Sequence, residues 1–171
     1  KSGTGKIKLL ADTNGDGRMD KSTVFAENLQ LPFGIMRWKK GLLVADAPHL
    51  LYLEDSTGDG KADIRRIMLT GFAVSNAQMN VSNPLYGLDN WIYLTSESGS
   101  TYQIYKKEFG DLGDDIFFPD QTDTPRLPLK GSGRTVRFRP DQRQLELTSG
   151  KTQFGHTFDN WGHHILGNNS N

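Results

Sequence analysis

A chain of 171 residues that is 35 % hydrophobic and 10 % aromatic has the composition of a folded domain with a core, which excludes a disordered segment. Its 20 Lys plus Arg against 20 Asp plus Glu leave zero formal charge, so it lacks the electrostatic footprint of a partner for nucleic acid or an anionic membrane. The absence of cysteine excludes disulfides, thiolate metal sites and a Cys-X-X-Cys-His haem attachment within this stretch, and the longest apolar run, 41–53, is broken by Asp46, Pro48 and His49 well short of a membrane span.

The chain opens Lys1-Ser-Gly-Thr-Gly-Lys6, with neither an initiator Met nor a signal peptide, so an upstream region is expected to have been removed or left out. That opening lacks the spacing of a phosphate loop and leads into a strand pattern where a helix would be needed. Next comes Asp12-Thr-Asn-Gly-Asp-Gly-Arg-Met-Asp20, which returns at an offset of 43 residues as Asp55-Ser-Thr-Gly-Asp-Gly-Lys-Ala-Asp63. Oxygen side chains at loop positions 1, 3, 5 and 9 (Asp12, Asn14, Asp16, Asp20; then Asp55, Thr57, Asp59, Asp63) are how a short loop encloses a hard cation, and calcium is the natural candidate. The glycine at position 6 makes the sharp turn, and the backbone carbonyl at position 7, Arg18 or Lys61, completes the site. Position 12, where an EF-hand has a bidentate Glu, is Thr23 or Arg66. The flanks alternate as strands do (Ile7, Leu9; Val24, Ala26; Leu51, Leu53; Ile67, Leu69), so both loops are expected at hairpin tips. A second reading stands beside the metal one: Asn-Gly and Asp-Gly are good hairpin turns in their own right.

A unit of about 43 residues made of short strands is the mark of a β-propeller with four-stranded blades. The tryptophans give a second echo: Trp38 leads into 41–45, Trp91 into 92–95 and Trp161 into 163–166, with Asp89-Asn90-Trp91 and Asp159-Asn160-Trp161 near copies. Residues 106–133, with Pro119, Pro125, Pro128 and an acidic cluster, read as an irregular insertion, after which strands resume at 134–139 and 144–148 around a turn at Pro140. The fold expected is all-β: one domain over 1–171, a partial arc of about four blades of a larger ring. Leu9, Ile35, Leu43, Ile92, Tyr93, Val136, Phe138 and Trp161 are expected between sheets, those near the ends lacking partners. His163 and His164 are strand neighbours and face opposite ways, so only one can join His156. With no third ligand in view, these histidines read as structural rather than as a transition-metal site.

The runs 9–17, Leu31-Pro-Phe-Gly34, 51–60, Tyr86-Gly-Leu-Asp-Asn-Trp-Ile-Tyr93, Val136-Arg-Phe-Arg-Pro140 and 149–162 together resemble the propeller domain of the membrane-bound or secreted dehydrogenases of planctomycetes and related bacteria. That domain is similar to the soluble glucose/sorbosone dehydrogenases, six-bladed propellers that use pyrroloquinoline quinone and calcium. The resemblance implies a periplasmic or extracellular protein that oxidises a sugar or polyol hydroxyl, with a haem c acceptor elsewhere in the full-length protein. It places Gln78, Asn80, Gln153 and His156 at the cofactor and substrate, and puts Met79 where the family has its histidine base; a thioether cannot take that proton. The Arg-Asn pair that relatives use near the quinone is replaced by 151–153, so no catalytic residue is assigned. The alternative is a non-catalytic, calcium-stabilised propeller that binds carbohydrate or a protein partner.

Overall fold

The computed structural model describes residues 3–74, 77–96, 113–121, 123, 126–127, 134–150 and 152–168. Among them no α-helix forms; the chain builds twelve strands and two 3-10 turns, at Ala77–Met79 and Pro140–Gln142. In order the strands are β1 (Gly5–Ala11), β2 (Lys21–Leu29), β3 (Pro32–Trp38), β4 (Gly41–Asp46), β5 (His49–Glu54), β6 (Ile64–Thr70), β7 (Ser82–Tyr86), β8 (Ile92–Thr95), β9 (Val136–Arg139), β10 (Gln144–Leu147), β11 (Gly155–Phe158) and β12 (His164–Gly167). They form four antiparallel sheets: a β1-β2 hairpin, the four-stranded meanders β3-β4-β5-β6 and β7-β8-β9-β10, and a β11-β12 hairpin. The fold is therefore all-β, with blade-like sheets in sequence order that make a partial propeller.

Burial explains why each strand reads as it does. The middle strands β4 and β5 are covered on both faces, with Leu43, Val44, Ala45, Leu50, Leu51, Tyr52 and Leu53 all buried, hence their nearly unbroken apolar run. In β9, Val136 and Phe138 point inward while Arg137 and Arg139 point out, the alternation of a sheet with one wet face. The main core lies between the two complete sheets. Trp38, Leu43, Ala45, Leu50, Tyr52 and Leu69 from the first meet Ile92, Leu94, Val136, Phe138 and Leu145 from the second, and Tyr52 stands edge-on to Trp38 at 5.3 Å. Each of the Leu, Ile, Val and Phe side chains among them contributes about 1.5–3 kcal/mol on burial. A smaller cluster, Leu29 with Val44, Leu51 and Leu53, fastens the first hairpin to the first complete sheet.

Part of the expected insertion returns to the core. Phe117 bridges Thr70, Ile116 bridges Leu127, and Phe118 is fully buried; residues 106–112, 122, 124–125 and 128–133 of that stretch lie outside the described residues. Gly71 allows the approach: it sits at φ 103° with the Asp115 carbonyl where a Cβ would be, so no other residue fits. Of the residues expected between sheets, Leu43, Ile92, Tyr93, Val136 and Phe138 are buried in the complete sheets, while Leu9 in β1, Ile35 in β3 at the edge of the first complete sheet, and Trp161 just before β12 are exposed.

Candidate cation loops and the polar end of the sheets

Both acidic loops close hairpins. Loop 12–20 joins β1 to β2 with Asp20 N–H donating to the Ala11 carbonyl at 3.0 Å, and loop 55–63 joins β5 to β6 with Asp63 N–H donating to Glu54 at 3.1 Å. Their backbones are copies, with glycines at φ 78° and 84° (Gly15, Gly17) and at 82° and 84° (Gly58, Gly60), left-handed positions that turn successive N–H groups inward. The position 1 carboxylate collects them. Asp12 accepts from Gly15 at 2.7 Å and Gly17 at 2.8 Å; Asp55 accepts from Gly58 and Gly60, both at 2.7 Å. The position 9 carboxylate is held from the second residue of each loop: Asp20 by the Thr13 amide and hydroxyl, Asp63 by those of Ser56. At position 5, Asp16 and Asp59 accept from the amides of Arg18 and Lys61.

These bonds favour the charged form, so all four outer carboxylates lie below the usual range. The Gly17 amide is the first cause for Asp12 and the Gly60 amide for Asp55; the Thr13 and Ser56 hydroxyls lead for Asp20 and Asp63. Position 3 differs. Asn14 accepts from the Asp16 amide and donates to its carboxylate, whereas the Thr57 hydroxyl donates to Asp55. Among the described residues no three His, Asp or Glu side chains are gathered closely enough to hold a metal ion as the loops stand, each carboxylate being turned to loop amides. The donor set is nonetheless all oxygen, with the carboxylates at positions 1 and 9 favoured in their charged form, and a carboxylate oxygen that accepts one N–H keeps a lone pair for a cation, so in kind the residues fit calcium.

The residues tied to a quinone lie at the other end. A meander puts the β5–β6 loop and the connection after β6 at opposite ends of the sheet, and that connection carries Gln78 and Met79 in the 3-10 turn, then buried Asn80. Gln153 is buried just before β11, its backbone N–H donating to the Gly167 carbonyl. His156, in β11, is lodged against β7. Its Nε2 lies 2.8 Å from the Asn83 carbonyl, its Nδ1 lies 2.6 Å from His164 Nε2, and Asn83 Nδ2 donates to the His156 carbonyl at 3.0 Å. A neutral His156 that donates from Nε2 accepts at Nδ1 from His164. Burial lowers both pKa values, His164 to about 4 with the neighbouring His156 adding to the effect. His163 turns away to Asp159 at 2.7 Å, as strand alternation required.

One network was not anticipated. Arg137 grips Glu146 at 2.6 and 3.0 Å and reaches the Tyr93 hydroxyl at 3.2 Å; that hydroxyl donates to Asp89 at 2.8 Å, and Trp91 packs against both Arg137 and Arg139 at 4.4 and 4.5 Å. The Arg-Phe-Arg alternation at 137–139 was the available signal, since it puts both guanidiniums on one face.

The sequence profile described as Domain of unknown function (DUF7133) matches residues 1–171. No curated protein and no solved structure matches the chain.

Proposed function

The chain belongs to the DUF7133 domain family, and from that premise we propose that it is a calcium-stabilised, non-catalytic β-propeller module. The observation that carries this reading is the pair of loops with the same glycine conformations and the same capped, ionised carboxylates at positions 1 and 9. Asp12, Asn14, Asp16, Asp20 and the Arg18 carbonyl would hold one ion, and Asp55, Thr57, Asp59, Asp63 and the Lys61 carbonyl a second. A bound calcium ion would offset most of the charge of the three carboxylates in each loop and tie two strand ends together. Sites with this ligand charge and no bidentate Glu fall between the weakest sensor sites and extracellular modules, about 10⁻⁵ to 10⁻³ M, which suits a periplasmic or extracellular setting.

The quinone fares less well. Pyrroloquinoline quinone carries three carboxylates, and none of Gln78, Asn80, Gln153 or the low-pKa His156 offers a positive charge; both His156 nitrogens are also engaged within the fold. These residues do not fit the cofactor by themselves. What supports the dehydrogenase reading, with its sugar or polyol substrate and haem c acceptor, is the gathering of the four at one end of the sheets. A groove of about 300 Å³ at the opposite end, lined by Trp38, Tyr86, Asn90, Arg139, Asp141 and Gln142, combines an aromatic face with hydrogen-bonding groups and favours carbohydrate over protein as the bound partner.

Calorimetric titration with calcium tests the proposal. Two sites are expected, with Asp16→Ala abolishing one and Asp59→Ala the other; no heat and no thermal shift at millimolar calcium would overturn it. Reduction of a dye acceptor by aldoses after addition of the quinone and calcium would replace it with the dehydrogenase reading.

A further inference from the structure

We propose that the groove between the two complete sheets binds a sugar that carries an oxyanion, a uronate or a sulfate ester, with Arg139 taking the charge and Tyr86 the ring. The inference deepens the carbohydrate reading of that groove and rests on it, and is independent of calcium. The site is assembled from corners of the chain. Trp38 ends β3, Tyr86 ends β7, Asn90 lies in the β7–β8 turn, and Arg139 leads from β9 into the turn that carries Asp141 and Gln142. Tyr86 pairs across the sheet with Ile92, and both Ile92 and Trp38 are buried, so the floor beside the tyrosine is apolar. Tyr86 itself is 48 % exposed, a large ring left open next to amide and guanidinium groups. A pyranose has an apolar C–H face and a polar edge, and this arrangement meets both. A volume of about 300 Å³ admits a single sugar residue or a short saccharide.

Charge decides which sugar. The neighbouring cations have carboxylate partners: Lys39 lies 2.6 Å from Asp141, Arg137 lies 2.6 Å from Glu146, and Arg143 grips Asp120 at 2.7 and 2.9 Å. Arg139 is the exception. Among the described residues no carboxylate pairs with it, because Asp89 turns its carboxylate to Tyr93 and Arg137 and offers Arg139 only its carbonyl, at 2.7 Å from Nη2. Nη1 makes two long contacts, to Gln144 Oε1 at 3.4 Å and Gln142 Oε1 at 3.5 Å, and Nε is buried without an acceptor. A guanidinium with five N–H groups thus makes one bond of ordinary length.

That spare capacity is held ready. Trp91 stacks on Arg139 at 4.5 Å and fixes the plane of a fork whose geometry matches an oxyanion. An incoming anion would displace only the long glutamine contacts, which frees Gln142 to bond the sugar. Asp141 does not cancel the charge, since Lys39 already holds it; two cations face one carboxylate, and the groove keeps one net positive charge. A neutral sugar would leave that charge unpaired, whereas a uronate or sulfate ester would pair it.

Nuclear magnetic resonance titration of the whole chain tests this, read at the Trp38 indole and the Asn90 side-chain amide. The probes are the methyl glycosides of glucose and galactose, each as the neutral sugar, the uronate and the 6-sulfate, with acetate and inorganic sulfate as bare anions. At least one anionic sugar should bind about 10-fold or more tightly than its neutral parent, the scale of a charge-assisted bond, and the better of uronate and sulfate identifies the source of the oxyanion. Arg139→Gln should erase that preference, and Tyr86→Ala should weaken neutral and anionic sugars alike. Should Arg139→Gln fail to fold, the comparison of probes on the wild type carries the test without it. Equal binding of neutral and anionic sugars would overturn the proposal and leave the carbohydrate reading standing. Bare anions that bind as tightly as the anionic sugars would overturn the part given to Tyr86, and with it the proposal. No shift with any sugar would overturn both the proposal and the carbohydrate reading.

Discussion

Loops 12–20 and 55–63 are near copies in sequence and backbone, yet they sit in different surroundings. Nothing lies within 4 Å of where a Cβ would stand on Gly15 or Gly17, so the first loop is a tip in solvent. The second is wedged against the first hairpin: Ala62 N–H donates to the Phe25 carbonyl at 2.7 Å, Gly60 approaches Thr23 and Leu9, and Arg65 at the start of β6 reaches the Glu27 and Asn28 carbonyls. The third case is instructive by its brevity. The β9–β10 connection holds the same place in the second complete sheet and is the short turn Pro140-Asp141-Gln142-Arg143. A nine-residue loop is therefore not needed to turn this corner, and its use at two of three corners points to a task beyond turning. Context then splits the twins: structure at the first loop is local, whereas at the second it is shared between blades.

The sharpest way to break this contrast is beneath the second loop. Leu53, at the end of β5, is 1 % exposed in the cluster that fastens the first hairpin. Leu53→Ala should lower unfolding free energy by about 2–5 kcal/mol in a urea titration. Met19→Ala, in the first loop at 60 % exposure, should stay within about 0.5 kcal/mol. Equal losses would mean that the second loop is not an inter-blade element.

Position 8 offers a cleaner exchange, because Met19 in the first loop is Ala62 in the second. Ala62 is half-buried against the cluster of Leu29, Val44, Leu51 and Leu53, so Ala62→Met must fit three extra heavy atoms between the second loop and the first hairpin and should destabilise by about 1–3 kcal/mol. Calcium affinity at the first loop should not change, and calorimetry on the same protein reads that directly.

How much of this was legible beforehand follows from what each feature depends on. The hairpin setting of both loops and the all-β sheets could be read because strand alternation and turn residues are local signals, and the opposed directions of His163 and His164 follow from the period of a strand. The wedging of the second loop could not be read: it depends on which hairpin falls beside it, a contact between residues 25 and 62 that no spacing encodes. The Arg137–Glu146–Asp89–Tyr93 network was hidden likewise, its members coming from three strands and a turn. Phe118 was missed because Pro and Gly around it signal a loop, and the buried anchor of a loop looks like any other loop residue until the chain returns to the core.

Acid should separate two regions in successive windows. His156 and His164 have folded pKa values below the 6.5 of an open chain, His164 at about 4, so the unfolded chain takes up protons first and stability falls as pH drops from about 6.5 toward 4. The loop carboxylates have folded values below 3.8, so their stabilisation is intact above that and is lost only as pH falls further, through those values. Tyr93, Phe158 and Asp89 face the imidazole pair, and of these only Asp89 opposes the drop. Melting temperature against pH should show two descending branches. His164→Gln should flatten the upper one and leave the lower; a single descent below pH 4 in the wild type would remove the histidines from the account.

The smallest expected effect concerns position 3, the only difference among the side-chain ligands of the two loops. Asn14 Oδ1 is a carbonyl oxygen, already accepting from the Asp16 amide at 3.0 Å and aimed inward by that bond. Thr57 brings a hydroxyl that donates to Asp55, so its proton occupies the carboxylate a cation would use. A cation at the second loop would have to break that bond and accept a weaker dipole in exchange, and the second site should bind less tightly than the first. Thr57→Asn gives the two loops one ligand set. It should tighten the second site by a few-fold, the scale of about one net hydrogen bond, while the first site titrates as before. If the affinities already match in the wild type, or if Thr57→Asn moves neither, position 3 is not a ligand, and the difference between the loops lies wholly in what they pack against.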